Sequence, residues 1–288
     1  MALPTFMVVG AQKAATTWLS ECLDEHPEIF VPPCKEVHFF CPTGDCRVST
    51  EARGLDWYLS LFPEESRYRV RGELSTDYMF FPEAAEALHR LNPDMKVIFM
   101  LRHPVDRAYS AYWMQRRKRT NLPPFETVLE QRPDFITRGL YHEQIDRFLR
   151  HFPREQIRIY LYEDMKRDPD ALIGDLYAFL GADPAFRPRS MGKRIGASRP
   201  LKPWAAFLIY RVLSPIINLP VVLPVWRFLR RHTRVQEVLI RAGQAKGAAS
   251  TGYPKLSAET RARLLALFAE ENERLFALLG RRIPEWSR

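Results

Sequence analysis

Residues 6–19 read FMVVGAQKAATTWL. The apolar run Phe6–Val9 has the length and makeup of a buried strand, and WLSECLDEH from Trp18 onward has a helical pattern. Between them lie one glycine, a lysine, two alanines and two threonines. A strand that turns tightly into a helix aims backbone N–H groups at the turn, and the helix dipole adds to the attraction for an anion. Lys13 brings a mobile positive charge, Thr16 and Thr17 bring hydroxyl donors, and the small Ala14 and Ala15 let the backbone come close to a ligand. The nucleoside-triphosphate loop has the order G-x-x-x-x-G-K-[ST]. Here the second glycine is missing and Lys13 does not adjoin a Ser or Thr. No obvious magnesium-holding aspartate follows a strand either. The stretch reads as a loop for an anion other than Mg-ATP, or as an ordinary strand–helix turn with a solvent-facing lysine.

Two further apolar runs, KVIFML (96–101) and IRIYL (157–161), read as buried strands. EAAEALHRL (83–91), PVDRAYSAYWMQRRKR (104–119) and YHEQIDRFLRHF (141–152) read as helices. Such alternation predicts an α/β fold with a central parallel β-sheet flanked by helices. Sheets of this kind bind ligands outside the carboxyl ends of their strands, so GAQKAATT and the loop after KVIFML fall on one edge. Ser257 is a good N-cap for a helix whose apolar stripe runs to Gly280, which predicts a helical C-terminal cap.

The loop after KVIFML carries a second set of candidate ligands, in MLRHPVDRAYSAY (100–112). Pro104 suits the first turn of a helix. Arg102 then stands at the strand's end, and Ser110 lies two turns into the helix. A guanidinium fork with a hydroxyl can grip a second phosphate, while the alternative is a structural pair of Arg102 with Asp106.

A length of 288 residues suits one large domain or two small ones. The net charge of +9 and pI near 9.5 suit an anionic ligand, nucleic acid, an acidic membrane surface, or simply an Arg-rich exterior. Cys22, Cys34, Cys41 and Cys46 match no zinc spacing, which predicts no metal site. Reduced thiols are the plain reading, with a redox pair among Cys34, Cys41 and Cys46 as the alternative. MALPTFMVVG passes directly into the first strand and shows no signal-peptide pattern. The apolar segment 204–226 is broken by Pro215, Pro220 and Pro224 and interrupted by Arg211. That argues against a spanning helix and leaves a packed lid or a peripheral membrane contact.

Taken together, K-x-x-T-T-W-L after a strand and L-R-x-P-x-x-R-A-x-S about ninety residues later resemble the sulfotransferase family. These enzymes use 3′-phosphoadenosine 5′-phosphosulfate (PAPS) and need no metal. The resemblance covers most of the chain, including KEVHFF (35–40), GELSTDYMFF (72–81), YEDMKRDP (162–169) and YPKLSAETRARLLALF (253–268). KEVHFF and the terminal YPKLS helix place it nearer the heparan-sulfate and bacterial branch than the phenol-and-steroid branch. It implies the sulfotransferase version of the P-loop-kinase fold, as one domain over 1–288 with 204–245 as a lid or insertion.

The resemblance also implies roles. Lys13, Thr16, Thr17 and Trp18, with the Ala14–Ala15 backbone, would hold the 5′-phosphosulfate, and Lys13 would offset charge on the leaving oxygen. Arg102 and Ser110 would hold the 3′-phosphate. Glu36 would be the general base, its carboxyl raised by Val37, Phe39 and Phe40, with His38 on the same face if the segment is extended. Tyr162 would lie near adenine. Lys246 and Gly247 resemble the lysine-glycine loop that closes over the nucleotide, although the arginine usual after that pair is absent. Leu74 stands where heparan-sulfate enzymes often carry an acceptor-binding lysine, which points to a less acidic, lipophilic acceptor. The acceptor class is a carbohydrate, lipid or other small molecule bearing a hydroxyl or amine, with no nucleic acid partner, in a bacterial-type cytoplasmic enzyme. The rival readings are a kinase or NTPase with a degenerate phosphate loop, and a nucleic-acid-binding protein using QRRKR (115–119) and RFLRRHTR (227–234).

Overall fold

The computed structural model describes residues 2–33, 36–41, 54–64, 68–118, 121–192 and 253–288. Five parallel strands make the sheet: β1 (Phe6–Gly10), β2 (Ile29–Phe30), β3 (Val70–Leu74), β4 (Lys96–Leu101) and β5 (Ile157–Leu161). Their order is β2-β3-β1-β4-β5. The chain runs from β1 to the edge strand β2, returns to β3 beside β1, then crosses to β4 and β5 on the other side. The carboxyl edge at β1 is therefore the point where the strand order reverses, the place where open parallel sheets leave a crevice.

Every residue of β1 is buried, as are five of the six in β4, so both faces of the sheet are covered. The described helices are α1 (Thr16–Glu25), α2 (Gly54–Ser60), α3 (Pro82–Leu91), α4 (Pro104–Lys118), α5 (Phe125–Gln131), α6 (Asp134–Thr137), α7 (Tyr141–Leu149), α8 (Tyr162–Arg167), α9 (Pro169–Leu180) and α10 (Ala258–Leu279). α1 meets α9 through Tyr177 OH, which donates to the Cys22 carbonyl at 2.8 Å. α7 packs on α3 and α10 and sends Phe148 against Phe99 of β4. Its buried residues Tyr141, Gln144, Ile145 and Phe148 form a single helical stripe.

The expected strands over 96–101 and 157–161 are present, as are the expected helices. Ser257 caps α10 by accepting the Thr260 N–H at 3.1 Å, and Gly280 ends it in the left-handed conformation. Apolar patterning misses the two-residue β2 and, more tellingly, β3. VRGEL carries two charges and a glycine, yet all but Arg71 are buried. Gly72 pairs with Phe6, and a Cβ there would sit 2.5 Å from the Phe6 ring. The glycine is a clearance, because β1 and β3 approach too closely for any side chain. The segments 193–252, 34–35 and 42–53 lie outside the described residues, and with them the proposed lid at 204–226, Cys34 and Cys46. Among the described residues no helix is long and apolar enough to cross a membrane.

Gly72→Ala is expected to destabilise the fold by about 3 kcal/mol, the upper range for overpacking a filled site. Gly174 lies within α9, where a Cβ would meet its nearest neighbour at an ordinary 3.6 Å. Gly174→Ala should stabilise by up to about 1 kcal/mol. Urea denaturation of both variants checks the pair, and a Gly72→Ala chain as stable as wild type would refute the clearance argument.

Candidate active site

Three loops meet at the carboxyl edge, those that follow β1, β4 and the edge strand β2. The loop after β1 is pulled against β4 by Ala11 N–H, which donates to the Met100 carbonyl at 2.7 Å. It then turns through two residues of positive φ, Lys13 (72°) and Ala15 (67°), before α1 starts at Thr16. Ala15 is the N-cap and offers no side-chain acceptor, and the first turn of α1 holds no acidic residue. The opening N–H groups of α1 thus keep their appeal for an anion. Ala14 and Thr16 are buried, Ala15 is half-buried and Thr17 is exposed. Trp18 is turned into the core, where its indole N–H donates to the Met191 carbonyl at 3.1 Å. From there it supports the start of α1 from beneath.

Arg102 ends β4 beside this loop. Its Nη1 donates to the Lys13 carbonyl at 3.2 Å, and its guanidinium lies 4.8 Å from the centre of the Tyr162 ring. Tyr141 OH donates to the Arg102 carbonyl at 2.8 Å. Lys13, Arg102 and Tyr162 are thus brought together. Asp106 is not the partner of Arg102: it pairs with Arg261 of α10 at 2.8 Å. That contact holds the Asp106 carboxyl below its usual range, against the upward push of burial. The Arg102 Nε is buried and has no hydrogen-bond partner among the described residues. A buried charged donor left open is costly, and an anionic ligand relieves it. Lys13 Nζ reaches the Met114 sulfur at 3.6 Å, while Ser110 is buried on α4. Lys246 and Gly247 lie outside the described residues.

His103 follows Arg102 and was not singled out by sequence. Its Nδ1 accepts the Val105 N–H at 3.2 Å at the start of α4. Burial pushes the ring down to about 4, with Asp106 partly opposing. It is a neutral structural group at the site's edge.

The third loop contains Glu36 and His38. It is tied to the end of β3 by Glu36 N–H donating to the Leu74 carbonyl at 3.0 Å and by His38 N–H donating to Ser75 Oγ at 3.0 Å. The segment is not extended, contrary to expectation. Glu36 and His38 both adopt positive φ, 60° and 55°, a conformation non-glycine residues adopt only where their surroundings enforce it. The two turns bring Glu36 Oε2 to 3.7 Å from His38 Nε2. Nor do the apolar neighbours in sequence surround the carboxylate. Val37 packs with Tyr58 and Phe62, and Phe39 and Phe40 pack against the same cluster. Glu36 faces His38 and the Thr76 hydroxyl, which donates to Oε1 at 3.4 Å.

Beneath this loop sits Glu73, wholly buried, accepting from Tyr78 OH at 2.8 Å, Ser75 Oγ at 2.9 Å and Tyr58 OH at 3.1 Å. Burial raises its carboxyl, and the three hydroxyls and His38 pull it part of the way back. For His38, burial alone lowers the ring. Its approach to Glu36 and the charges of Asp77, Glu36 and Glu73 outweigh that, leaving it above the ordinary imidazole value. Leu74 is buried in the main core and gives an acceptor no charge to meet. Cys41 Sγ lies 3.8 Å from His38 Nδ1.

The family model described as "Sulfotransferase domain" matches residues 3–191. Human heparan sulfate glucosamine 3-O-sulfotransferase 6 is 29% identical over 233 residues, covering 70% of this chain and 66% of that protein. Human heparan sulfate glucosamine 3-O-sulfotransferase 3B1 is 27% identical, covering 69% of this chain and 57% of that protein. The chain thus spans less than two thirds of the length of these relatives. A crystal structure of a sulfotransferase from Alicyclobacillus acidocaldarius superposes with a TM-score of 0.73 at 28% identity, covering 100% of each chain.

The depressed His103 ring has a measurable consequence. Its neutral form stabilises the fold above the ordinary value of 6.5, and this contribution is lost as pH falls towards about 4. Between pH 7 and pH 5 it accounts for a loss of about 2 kcal/mol. His103→Asn keeps an acceptor for Val105 N–H and should flatten the stability profile by that amount in urea denaturation at the two pH values. Parallel profiles for variant and wild type would contradict it.

Proposed function

The chain belongs to the sulfotransferase family, transferases that move a sulfuryl group, and from that premise we propose that it transfers sulfuryl from PAPS to an acceptor hydroxyl or amine. Adenosine 3′,5′-bisphosphate is the other product. The observation that carries the nucleotide assignment is Arg102: bonded to the Lys13 carbonyl, laid on Tyr162, and with a buried Nε left without a partner among the described residues. It joins the two anion-binding motifs at one point. Family membership does not favour the kinase-type or nucleic-acid-binding readings.

The Ala14–Ala15 backbone, Thr16, Thr17 and the start of α1 would hold the 5′ side of the nucleotide. Arg102 and Ser110 would hold the 3′-phosphate, and Tyr162 would flank the adenine. In the transfer, the acceptor oxygen or nitrogen bonds to sulfur as the sulfur–oxygen bond to the donor phosphate breaks, and the electron pair stays on that phosphate. Lys13 offsets the negative charge that builds there. The acceptor's proton goes to Glu36, the carboxylate of the third loop, with His38 beside it. No metal enters this scheme. We read 1–288 as one domain in a bacterial-type cytoplasmic enzyme. The lid or membrane contact at 204–226 and the Lys246–Gly247 loop stand as proposals on residues outside those described.

The relatives are named for sulfation of glucosamine in heparan sulfate, so a glycan hydroxyl is one acceptor class. Leu74 favours less acidic acceptors, lipophilic ones included. A screen that finds turnover on anionic polysaccharide alone would reject that preference.

Calorimetric titration with adenosine 3′,5′-bisphosphate, without metal and beside Mg-ATP, tests the assignment. Binding is expected for the bisphosphate and should weaken at least about tenfold in Lys13→Ala and in Arg102→Ala, as for loss of a charge-assisted contact. Binding of Mg-ATP instead would sink the reading. With an acceptor in hand, Glu36→Gln should lower kcat by about 10²-fold or more.

A further inference from the structure

Asp77 belongs to the acceptor-side cluster, yet neither the motifs nor the roles above use it. Its two carboxylate oxygens face different partners. Oδ1 accepts from Arg138 Nη1 at 2.5 Å, and Oδ2 lies 3.9 Å from His38 Nδ1. The other ring nitrogen of His38, Nε2, lies 3.7 Å from Glu36 Oε2. The imidazole is therefore bracketed by two carboxylates, one at each nitrogen. Both separations are within ion-pair range and beyond a direct hydrogen bond. Burial is graded along the row. The side chains of Arg138, Asp77 and His38 are 15%, 14% and 7% exposed, and that of Glu36 is 33% exposed. Glu36 is the end of the row that an incoming molecule reaches.

The far end of the row is anchored. Arg138 is the C-cap of α6, and its guanidinium lies 4.2 Å over the Phe80 ring. α6 is tied to α4 by Arg107, a wholly buried side chain whose Nη2 donates to the Phe135 carbonyl. The backbone of His38 is held separately, by Ser75 Oγ, which in turn donates to Glu73. The groups facing the His38 ring are thus Glu36 from its own loop, Asp77 and Glu73 from the β3 side with Tyr78 edge-on, and Cys41. Arg138 stands behind Asp77.

We propose that Asp77, clamped by Arg138, is a positioning residue of the transfer reaction: it fixes the His38 ring between itself and Glu36, so that Glu36 is presented to the acceptor's proton. The proposal rests on the sulfotransferase reading above. A carboxylate within ion-pair range of each nitrogen favours the doubly protonated ring, which has no lone pair with which to accept the acceptor's proton. His38 then serves as a cationic spacer. It keeps Glu36 ionised and oriented, and the base is the carboxylate alone. The segment after β3 supplies this geometry through a residue three positions beyond Leu74, the last of the strand.

The test needs no acceptor. In the full-length protein the His38 ring is followed by proton–carbon NMR over a pH series, with the signal assigned by His38→Gln. Wild type, Asp77→Asn and Asp77→Glu are compared, each also titrated with adenosine 3′,5′-bisphosphate. Asp77→Asn is expected to lower the His38 midpoint by about one pH unit, the effect of losing an opposite charge at this range. Asp77→Glu should restore it, and nucleotide affinity should stay within about twofold throughout. The double variant Asp77→Asn/Arg138→Gln leaves no unpaired guanidinium behind and must show a fall in the same direction. An unmoved His38 midpoint in these variants overturns the proposal. So does loss of bisphosphate binding in Asp77→Asn with a wild-type His38 midpoint, which marks a merely structural residue. A wild-type chain that binds no bisphosphate, while His38 still responds to Asp77, overturns the functional reading and leaves the placement of the ring intact.

Discussion

Phe6, Met7 and Val8 pair with Gly72, Glu73 and Leu74 on one side and with Lys96, Val97 and Ile98 on the other. This double pairing places β1 between β3 and β4 with all three strands pointing the same way. It sets the loops after β1 and β4 beside the end of β3, to which the Glu36–His38 loop that follows β2 is tied, and it is possible only because residue 72 has no side chain to meet Phe6. The anion loop, the Glu36–His38 loop and Arg102 are neighbours for that reason. Parallel strands cannot be joined by tight hairpins, so each loop is free to end in chemistry instead of a return turn.

The charges at this edge are divided. On the β4 side stand Lys13 and Arg102, the cations suited to a polyanionic nucleotide. On the β3 side stand Glu36, Asp77 and Glu73, suited to managing a proton. The buried Glu73 sits on three hydroxyl donors, one of which also receives the His38 N–H. A buried carboxylate this well bonded is a rigid foundation, whereas one stripped of its donors would leave an uncompensated charge or a void.

Much of this is legible in the sequence. The apolar runs over 6–9, 96–101 and 157–161 declare three strands, and Ser257 and Gly280 bracket α10. Lys13 and Arg102 stand out because positive charge directly after a buried strand has few structural uses. β3 stays hidden because its glycine and its buried glutamate break the apolar pattern, and both serve contacts that form only across the sheet. Asp77 and Arg138 are 61 residues apart in the chain and meet only once α6 is docked. The turn at Glu36 and His38 is equally unreadable, since neither residue type advertises a positive φ. An extended segment would have put the two side chains on one face by alternation, and the structure brings them together by two left-handed turns.

The helix that opens at Ala15 without a capping side chain has a practical consequence at the bench. Such a loop, with Lys13 and Arg102 beside it, recognises a tetrahedral oxyanion by charge and size before it recognises a nucleoside. Inorganic phosphate and sulfate carry the same shape. In phosphate-buffered saline, or in an ammonium sulfate fraction, a ligand must first displace the buffer. An affinity read there reports an exchange, and a preparation that looks inactive can simply be saturated by its own solvent.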